Sequence, residues 1–486
     1  MTTQLNSRLN KLSNGSLRGK NKAFSKVTVR FMWTIFLFFL VLLGKSFFHS
    51  ITWNVDGVIK IDQLSLVIGT AVTLFSSIVL SYSARYLAGS EKLPRFLINC
   101  VLFTFSVILM VIANDIALFI FAWLCMGLLM SELIGGYTHY EEGQASKSNA
   151  RNFFVLSTVL LSAGFILLGL QTGSMSISKI IHSGALTNTP MVRFGVLLLI
   201  TAAVIQSALY PFQSWLMSSM TAPTPSSALM HAGFVNAGAI ILTRIAPAIY
   251  TSHYLGVLVL IGGFGSLVGK FTKFVQANIK QKLACSTSAQ MGFMLLECGL
   301  GFFAAAITHL ILHGFYKAYL FLSSGDSVEQ KSIKKNDNQG FNLWHLPVLL
   351  ISGLVGGYIF ALTTGKGIGL NSGLFLTLVI ALTVIHGTRD FINYSLLSAL
   401  TRLFILPLII IPTLFIYALI FNGITFLLSG IPMVEMATPV TWEQVTIGAM
   451  YLMSFIVIEL KLHKKMDRLY VYLLNISQPK SKTILH

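Results

Sequence analysis

Residues 301–323 read GFFAAAITHLILHGFYKAYLFLS. The run is apolar enough to lie in lipid and matches the roughly 20 residues that a helix needs to cross the hydrocarbon layer. It nonetheless carries His309, His313 and Lys317, which at spacings of i, i+4 and i+8 fall on one helical face. Ionisable groups inside a span are costly, so they face a bundle interior or a wet cavity. The stretch therefore predicts one helix of an all-α polytopic membrane protein with a polar seam inside.

Composition agrees. The chain has 486 residues, of which 55% are hydrophobic and 10% charged, against about 25% charged in an ordinary soluble domain. Its mean hydropathy is +0.76. The formal net charge of +18 could suggest nucleic acid, but the basic residues sit in short gaps between apolar runs rather than on a solvated module, so no nucleic-acid partner is expected. Cys100, Cys125, Cys285 and Cys298 all lie in apolar runs with no CxxC pairing and no histidine at finger spacing. They read as buried structural thiols, and no metal or cofactor is expected in this chain.

Runs long enough to span predict about fourteen transmembrane helices, at 31–49, 64–87, 96–113, 115–137, 152–170, 192–219, 226–248, 254–273, 283–300, 301–323, 342–362, 368–387, 395–428 and 444–462. The long segment from 395 should be tilted or bent. An even count puts both ends on one side. Of the 34 Lys and Arg residues, 27 then fall on that side, which the positive-inside rule makes cytoplasmic. The predicted organisation is a basic cytoplasmic N-terminal tail (1–30), a transmembrane domain (31–468) and a cytoplasmic C-terminal tail (469–486), in the cell's inner membrane. The first apolar run lacks a small-residue cleavage site, so it reads as a retained helix. No loop is long enough for a soluble catalytic domain, which predicts a transporter subunit rather than an enzyme.

Three patterns could carry chemistry. In the His309, His313 and Lys317 row, imidazole titrates nearest neutrality and burial weakens a lysine's hold on its proton, so neighbours can pass one along. A zinc-protease helix would need Glu after the first histidine, where Leu310 stands. In Tyr210-Pro211-Phe-Gln-Ser-Trp215 and Thr221-Ala-Pro223-Thr-Pro225-Ser-Ser-Ala-Leu-Met-His231, three prolines interrupt apolar helix. Broken helices at membrane depth line cavities or are buried in protein. His231 and Asn236 follow on the resumed helix. The third pattern is the basic run Lys270, Lys273, Lys280 and Lys282 ahead of Ala284-Cys-Ser-Thr-Ser-Ala-Gln-Met-Gly292, where Lys280 is of interest and the others read as headgroup anchors. Glu132 and Glu297 also fall within spans and form a possible secondary pathway. Gly263-Phe-Gly265-Ser-Leu-Val-Gly269-Lys270 faintly echoes a phosphate loop but misses its spacing and follows no strand.

Tyr210 to Arg244 and Asn278 to Ser324 resemble the antiporter-like membrane subunits of respiratory complex I (chain 5 type) and of Mrp-type sodium/proton antiporters. The resemblance implies an antiporter-like fold with a proton path through His231, Lys280, His309, His313 and Lys317. His231-Ala-Gly-Phe-Val-Asn236-Ala-Gly with Arg244-Ile-Ala-Pro247, Cys285-Ser-Thr-Ser-Ala-Gln-Met-Gly-Phe-Met and the segment His313 to Gly325 are similar to the DabB family. These are membrane subunits of two-component inorganic-carbon accumulation systems. That resemblance implies proton or sodium flow that energises directional CO2 hydration by a soluble partner on the cytoplasmic face, a DabA-like zinc protein resembling a β-carbonic anhydrase. A subunit of a respiratory NADH dehydrogenase or an Mrp-type antiporter is the alternative. The sequence departs from the complex I pattern where that pattern has a glutamate after the helix-4 tryptophan and a lysine before Tyr-Pro. Leu124 and Gln206 stand there, so the first half-channel is expected to be silent or rewired. The absence of a long lateral helix before His486 argues against a place at the far end of a respiratory arm.

Overall fold

The computed structural model describes residues 2–49, 51–55, 57–136, 140–183, 186–324, 346–367, 369–394, 399–460 and 467–483. Helices account for most of it, because a backbone in lipid must satisfy its own N–H and C=O groups. In order they are α1 (Thr2–Ser46), α2 (Gln63–Tyr86), α3 (Leu93–Ile112), α4 (Ile116–Gly135), α5 (Glu141–Thr172), α6 (Ile177–His182), α7 (Pro190–Gln206), α8 (Ser214–Ser218), α9 (Thr224–Leu229), α10 (Ala237–Arg244), α11 (Ala246–Thr251), α12 (Leu255–Val275), α13 (Ile279–Gly299), α14 (Phe303–Leu322), α15 (Leu346–Thr364), α16 (Gly373–Tyr394), α17 (Ala399–Leu428), α18 (Trp442–Glu459) and α19 (Asp467–Ile476). Side-chain acceptors mark several starts. Asp62 accepts from the Ser65 N–H at 3.0 Å while Ser65 Oγ accepts from the Asp62 N–H at 2.7 Å, a reciprocal box that satisfies two orphan donors. Asp115 and Asn278 cap α4 and α13 in the same spirit.

Among the described residues nine helices are long and apolar enough to cross a membrane, counting the second half of α1 and the joined stretch Thr224–Arg244. The other five expected segments are helical too, but α7 and the apolar stretch Gly373–Arg389 of α16 are short, and α13, α14 and α18 fall outside the nine. Fourteen is thus an approximate count. Helix α1 continues without a break from the basic segment into the span. In α17, Pro407 and Pro412 sit inside one 30-residue helix. Its outer face exposes Leu408, Phe415 and Leu419, as a lipid-facing surface should.

Alternate crossings define a tail face, where the N-terminal half of α1 lies, and an opposite face. The expected all-helical chain has one small addition on the opposite face, an antiparallel hairpin of β1 (Trp53–Val55) and β2 (Ile59–Ile61). Single bridges Ile59 to Ala113, Asp115 to Ser176, Phe302 to Glu435 and Asn371 to Pro439 tie the loops of that face together. Thr224–Arg244 runs through the centre with all of its apolar window buried. Around it α12 and α13 pack at glycines. A Cβ built on Gly262 would lie 2.4 Å from the Leu296 nitrogen, and one on Gly292 would lie 2.4 Å from the Ser266 nitrogen. The glycine run that echoes a phosphate loop in sequence is in part this helix contact, in which small residues let two backbones approach.

Candidate functional site

The three-residue row on α14 points inward. His313 and Lys317 are 5% and 1% exposed. The Lys317 ammonium donates to the Leu283 carbonyl at 2.9 Å and to Ser286 Oγ, so the first turns of α13 receive it. Next along the row, the rings of His313 and His309 lie 6.2 Å apart. His309 then meets α13 a second time: Nε2 is 2.7 Å from Gln290 Oε1 and Nδ1 is 3.1 Å from Glu297 Oε2. Glu297, 2% exposed, therefore joins the principal row rather than standing apart from it.

Broken helix supplies the next member. The chain leaves helix after Gln206, passes Pro211, forms α8, and leaves helix again at Ala222 and Pro223 before α9 begins with Pro225 in its first turn. Proline lacks the N–H that an interior helical position would need. Past α9 the helix widens to a π-turn at Met230–Phe234, closed by the Val235 N–H to the Met230 carbonyl at 3.2 Å. Such turns favour functional sites because they push a side chain out of register. The displaced residue is His231, fully buried and stacked on Phe321 of α14 at 4.3 Å between centroids. Helix α14 can come this near because Gly314 has no side chain: a built Cβ would lie 3.1 Å from the Ala232 carbonyl oxygen. Lys280 meets the break itself, its Nζ donating to the Ala222 carbonyl at 3.1 Å.

Among the described residues the imidazole nitrogens of His231 and His313 have no hydrogen-bond partner, nor does the Gln206 amide at the position where a lysine stands in the complex I pattern. Buried polar groups are normally satisfied by protein or ordered water. All three side chains are buried. Glu132 is placed elsewhere: it pairs with Lys147 at 2.5 Å and with Arg95 at 3.7 Å at the tail-face end of α4. Residues 325–345, including the basic loop 331–335, and the side chain of Asp390 lie outside the described residues.

A cavity of about 490 Å³ adjoins the row between α12 to α14 and α15 to α18. It runs from Lys270 and Lys273 at the tail-face end of α12, past Ser286, Gln290 and His309, to Glu297. His386 of α16 and Tyr451 of α18 line it too. His386 also lies 3.2 Å from Glu459, which Arg389 engages. His386 and Glu459 stand out in the sequence as polar residues of the C-terminal half, but their spacing does not say which cavity they meet. On the opposite face Asp62 pairs with Arg244, whose guanidinium also donates to the Val111 carbonyl at 2.6 Å. Over the tail face, the end of α19 and the segment after it bond to the broken helix, through Ile476 to Gln213 and through Thr483 to Ser218. No group of three or more His, Cys, Asp or Glu residues that could hold a metal occurs among the described residues.

Comparison with known proteins gives two family matches. Residues 113–358 match the transmembrane family described as NADH:quinone oxidoreductase/Mrp antiporter. Residues 47–97 match the N-terminus of NADH-ubiquinone oxidoreductase (complex I) chain 5. The chain is 34% identical over 336 residues to a probable inorganic carbon transporter subunit DabB of Bacillus anthracis, covering 66% of this chain and 64% of the relative. A probable DabB of Bacillus subtilis is 32% identical over 340 residues, covering 69% and 66%. The NADH-quinone oxidoreductase subunit L of Escherichia coli is 31% identical over 315 residues, covering 63% and 51%. The matched stretch thus spans just under two thirds of the two DabB relatives. In fold, the chain is similar to a subunit in the structure of the Mrp complex from Dietzia sp. DQ12-45-1b, with a TM-score of 0.57, 20% identity, and coverage of 96% of this chain and 52% of that one.

Proposed function

The chain belongs to the NADH:quinone oxidoreductase/Mrp antiporter family of membrane subunits, and from that premise we propose that it is the ion-conducting membrane subunit of an inorganic-carbon transport assembly. The observation that carries this reading is the buried line from Lys280 at the helix break, through Lys317, His313 and His231, to His309 and Glu297. Each member is a group that can hold or release a proton, and neighbours meet through side chains, adjacent turns or a seam polar enough for water. The names of the Bacillus relatives, probable inorganic carbon transporter subunits, support inorganic carbon as the cargo of the assembly.

In this mechanism a proton, with a sodium ion as the alternative, enters from the tail face near Lys280. Lys317 passes it to the histidine pair by deprotonating toward His313. Glu297 holds the imidazolium of His309 by charge and hydrogen bond, while Gln290 fixes the ring through its other nitrogen. The change in charge near Lys280 and Lys317 is felt at the tail face, which we place in the cytoplasm. There the basic residues would dock a soluble zinc protein of β-carbonic-anhydrase type, the DabA-like partner that carries the CO2 hydration chemistry. The zinc belongs to that partner, so this chain acts as a transporter subunit without a cofactor of its own.

The test is inorganic-carbon uptake by cells carrying His313→Ala or Lys317→Ala, with assembly checked by co-purification. Uptake should be abolished in both while the complex remains intact. Retained uptake in both would remove the row from the mechanism. The likeness to subunit L supports the second reading, a subunit of a respiratory or Mrp-type machine, for which ion pumping without carbon uptake is the expected phenotype.

A further inference from the structure

We propose that Phe302, Phe360, Phe375 and Phe421 form a hydrophobic gate closing the cavity toward the opposite face, with the Lys366 and Glu435 pair as the polar station on its far side. The inference rests on the conducting role above and assigns residues to which that reading gives no part.

The cavity has unlike ends. One is lined by the ammonium groups of Lys270 and Lys273 at the tail face. At the other, just past Glu297 and Ala305, it meets Phe360 and Phe421. These two rings belong to a separate apolar cluster with Phe302 and Phe375, in which Phe302 is 0% and Phe421 1% exposed. Tyr417 and Tyr451 pack against its edge, and its other members are hydrocarbon side chains. A dry constriction of this kind stops water and ions by dewetting rather than by bulk alone.

Polarity returns immediately beyond it. Lys366, in the loop between α15 and α16, places its Nζ 4.8 Å from the centre of the Phe302 ring and 2.8 Å from Glu435 Oε2. The side chains of this pair are 16% and 19% exposed, so the station communicates with the opposite surface.

The backbone joins the two sides of the plug. The Phe302 N–H donates to the Glu297 carbonyl at 3.0 Å, and the next N–H, of Phe303, donates to the Val434 carbonyl at 3.0 Å. Met436 N–H in turn donates to the Gly301 carbonyl at 3.0 Å. The turn at Gly301 thus connects the last station inside the cavity to the segment that holds Glu435. Only glycine fits at its corner, where φ is +85° and a Cβ would lie 2.1 Å from the Met436 carbonyl oxygen. With Lys366 over the Phe302 face, a cation held by the ring quadrupole, a change in the charge of the pair acts directly on the gate ring. Opening requires Phe302 to move, and both polar stations are tied to it.

The experiment reads water access, not ion flow. In the full chain within its native assembly, with Cys100, Cys125, Cys285 and Cys298 replaced by serine, a single reporter is placed in the cavity (Thr383→Cys) or on the opposite-face loop (Ala437→Cys). Sealed right-side-out and inverted vesicles are treated with a membrane-impermeant maleimide. Thr383→Cys should react only from the tail face and Ala437→Cys only from the other. Adding Phe302→Ser or Phe421→Ser should raise labelling of Thr383→Cys from the Ala437 side by about tenfold or more, as a barrier lowered by about 1.4 kcal/mol would. An unchanged rate from the tail face shows that the cavity is still folded. Labelling of the parent reporter from both faces, from neither, or unchanged one-sided labelling in both serine variants overturns the gate. Failure of the conducting role is read separately, as retained carbon uptake in His313→Ala and Lys317→Ala.

Discussion

Asp62 and Arg244 meet at the opposite face, one as the cap of α2 and the other at the end of the central broken helix. Burial alone would raise the Asp62 carboxyl, but the charge and hydrogen bonds of Arg244, with help from the Ser65 N–H, outweigh it and hold the group below the usual carboxylate range. The sign follows: the pair contributes its full stability above the unfolded carboxylate range, near pH 4, and loses it as pH falls through the depressed folded value. Asp62→Asn leaves a guanidinium buried without its counter-charge. The substitution should cost about 3–5 kcal/mol, seen as a lower unfolding temperature of the purified chain at neutral pH, with the gap to the parent shrinking on acidification. Equal unfolding temperatures at neutral pH would show that Arg244 is satisfied without the carboxylate.

At the scale of elements, the α12 and α13 contact positions half of the row, since α13 carries Ser286, Gln290 and Glu297. It depends on backbone approaching backbone at Gly262, Gly269, Gly292 and Gly299, where any Cβ would lie within 2.5 Å of a main-chain nitrogen. Backbone cannot turn aside as a side chain can. Gly262→Val is expected to cost about 1–3 kcal/mol or more by overpacking, read as a lower unfolding temperature in detergent. Gly387→Ala on α16, whose Cβ would meet nothing within 4 Å, should be neutral or slightly stabilising by helix propensity. If both behave alike, the close contact is not what holds these helices together. The glycine spacing was visible in the sequence. Its meaning was not, because a run such as Gly263-Phe-Gly265 gives no sign of which helix it touches.

For the whole molecule, the uneven charge is the feature that reaches partners. Lys92, Arg95, Lys147, Lys270 and Lys273 all lie toward the tail face, where a soluble protein or anionic headgroups would be attracted and salt would weaken the contact. Gentle purification of the tagged chain from native membranes should bring down a single large soluble protein containing zinc, released as ionic strength rises. Recovery of other antiporter-like and redox subunits without zinc would replace the carbon reading with the respiratory one.

The membrane class, the approximate crossings, the proline-broken helix and the row His309, His313 and Lys317 were legible in the sequence itself. Each rests on hydropathy or on i, i+4 spacing, which are properties of neighbours along the chain. What packs beside the row was not. Glu297 is assigned to it by a hydrogen bond across two helices, and Glu132, equally acidic and equally within an expected span, is drawn off to Lys147. Lys366 finds Glu435 at a separation of 69 residues, and Asp62 finds Arg244 at 182. Such pairs are chosen by the angles at which helices cross and by which glycines let them close, so the tertiary structure alone decided which polar groups come together and which aromatic rings pack beside them.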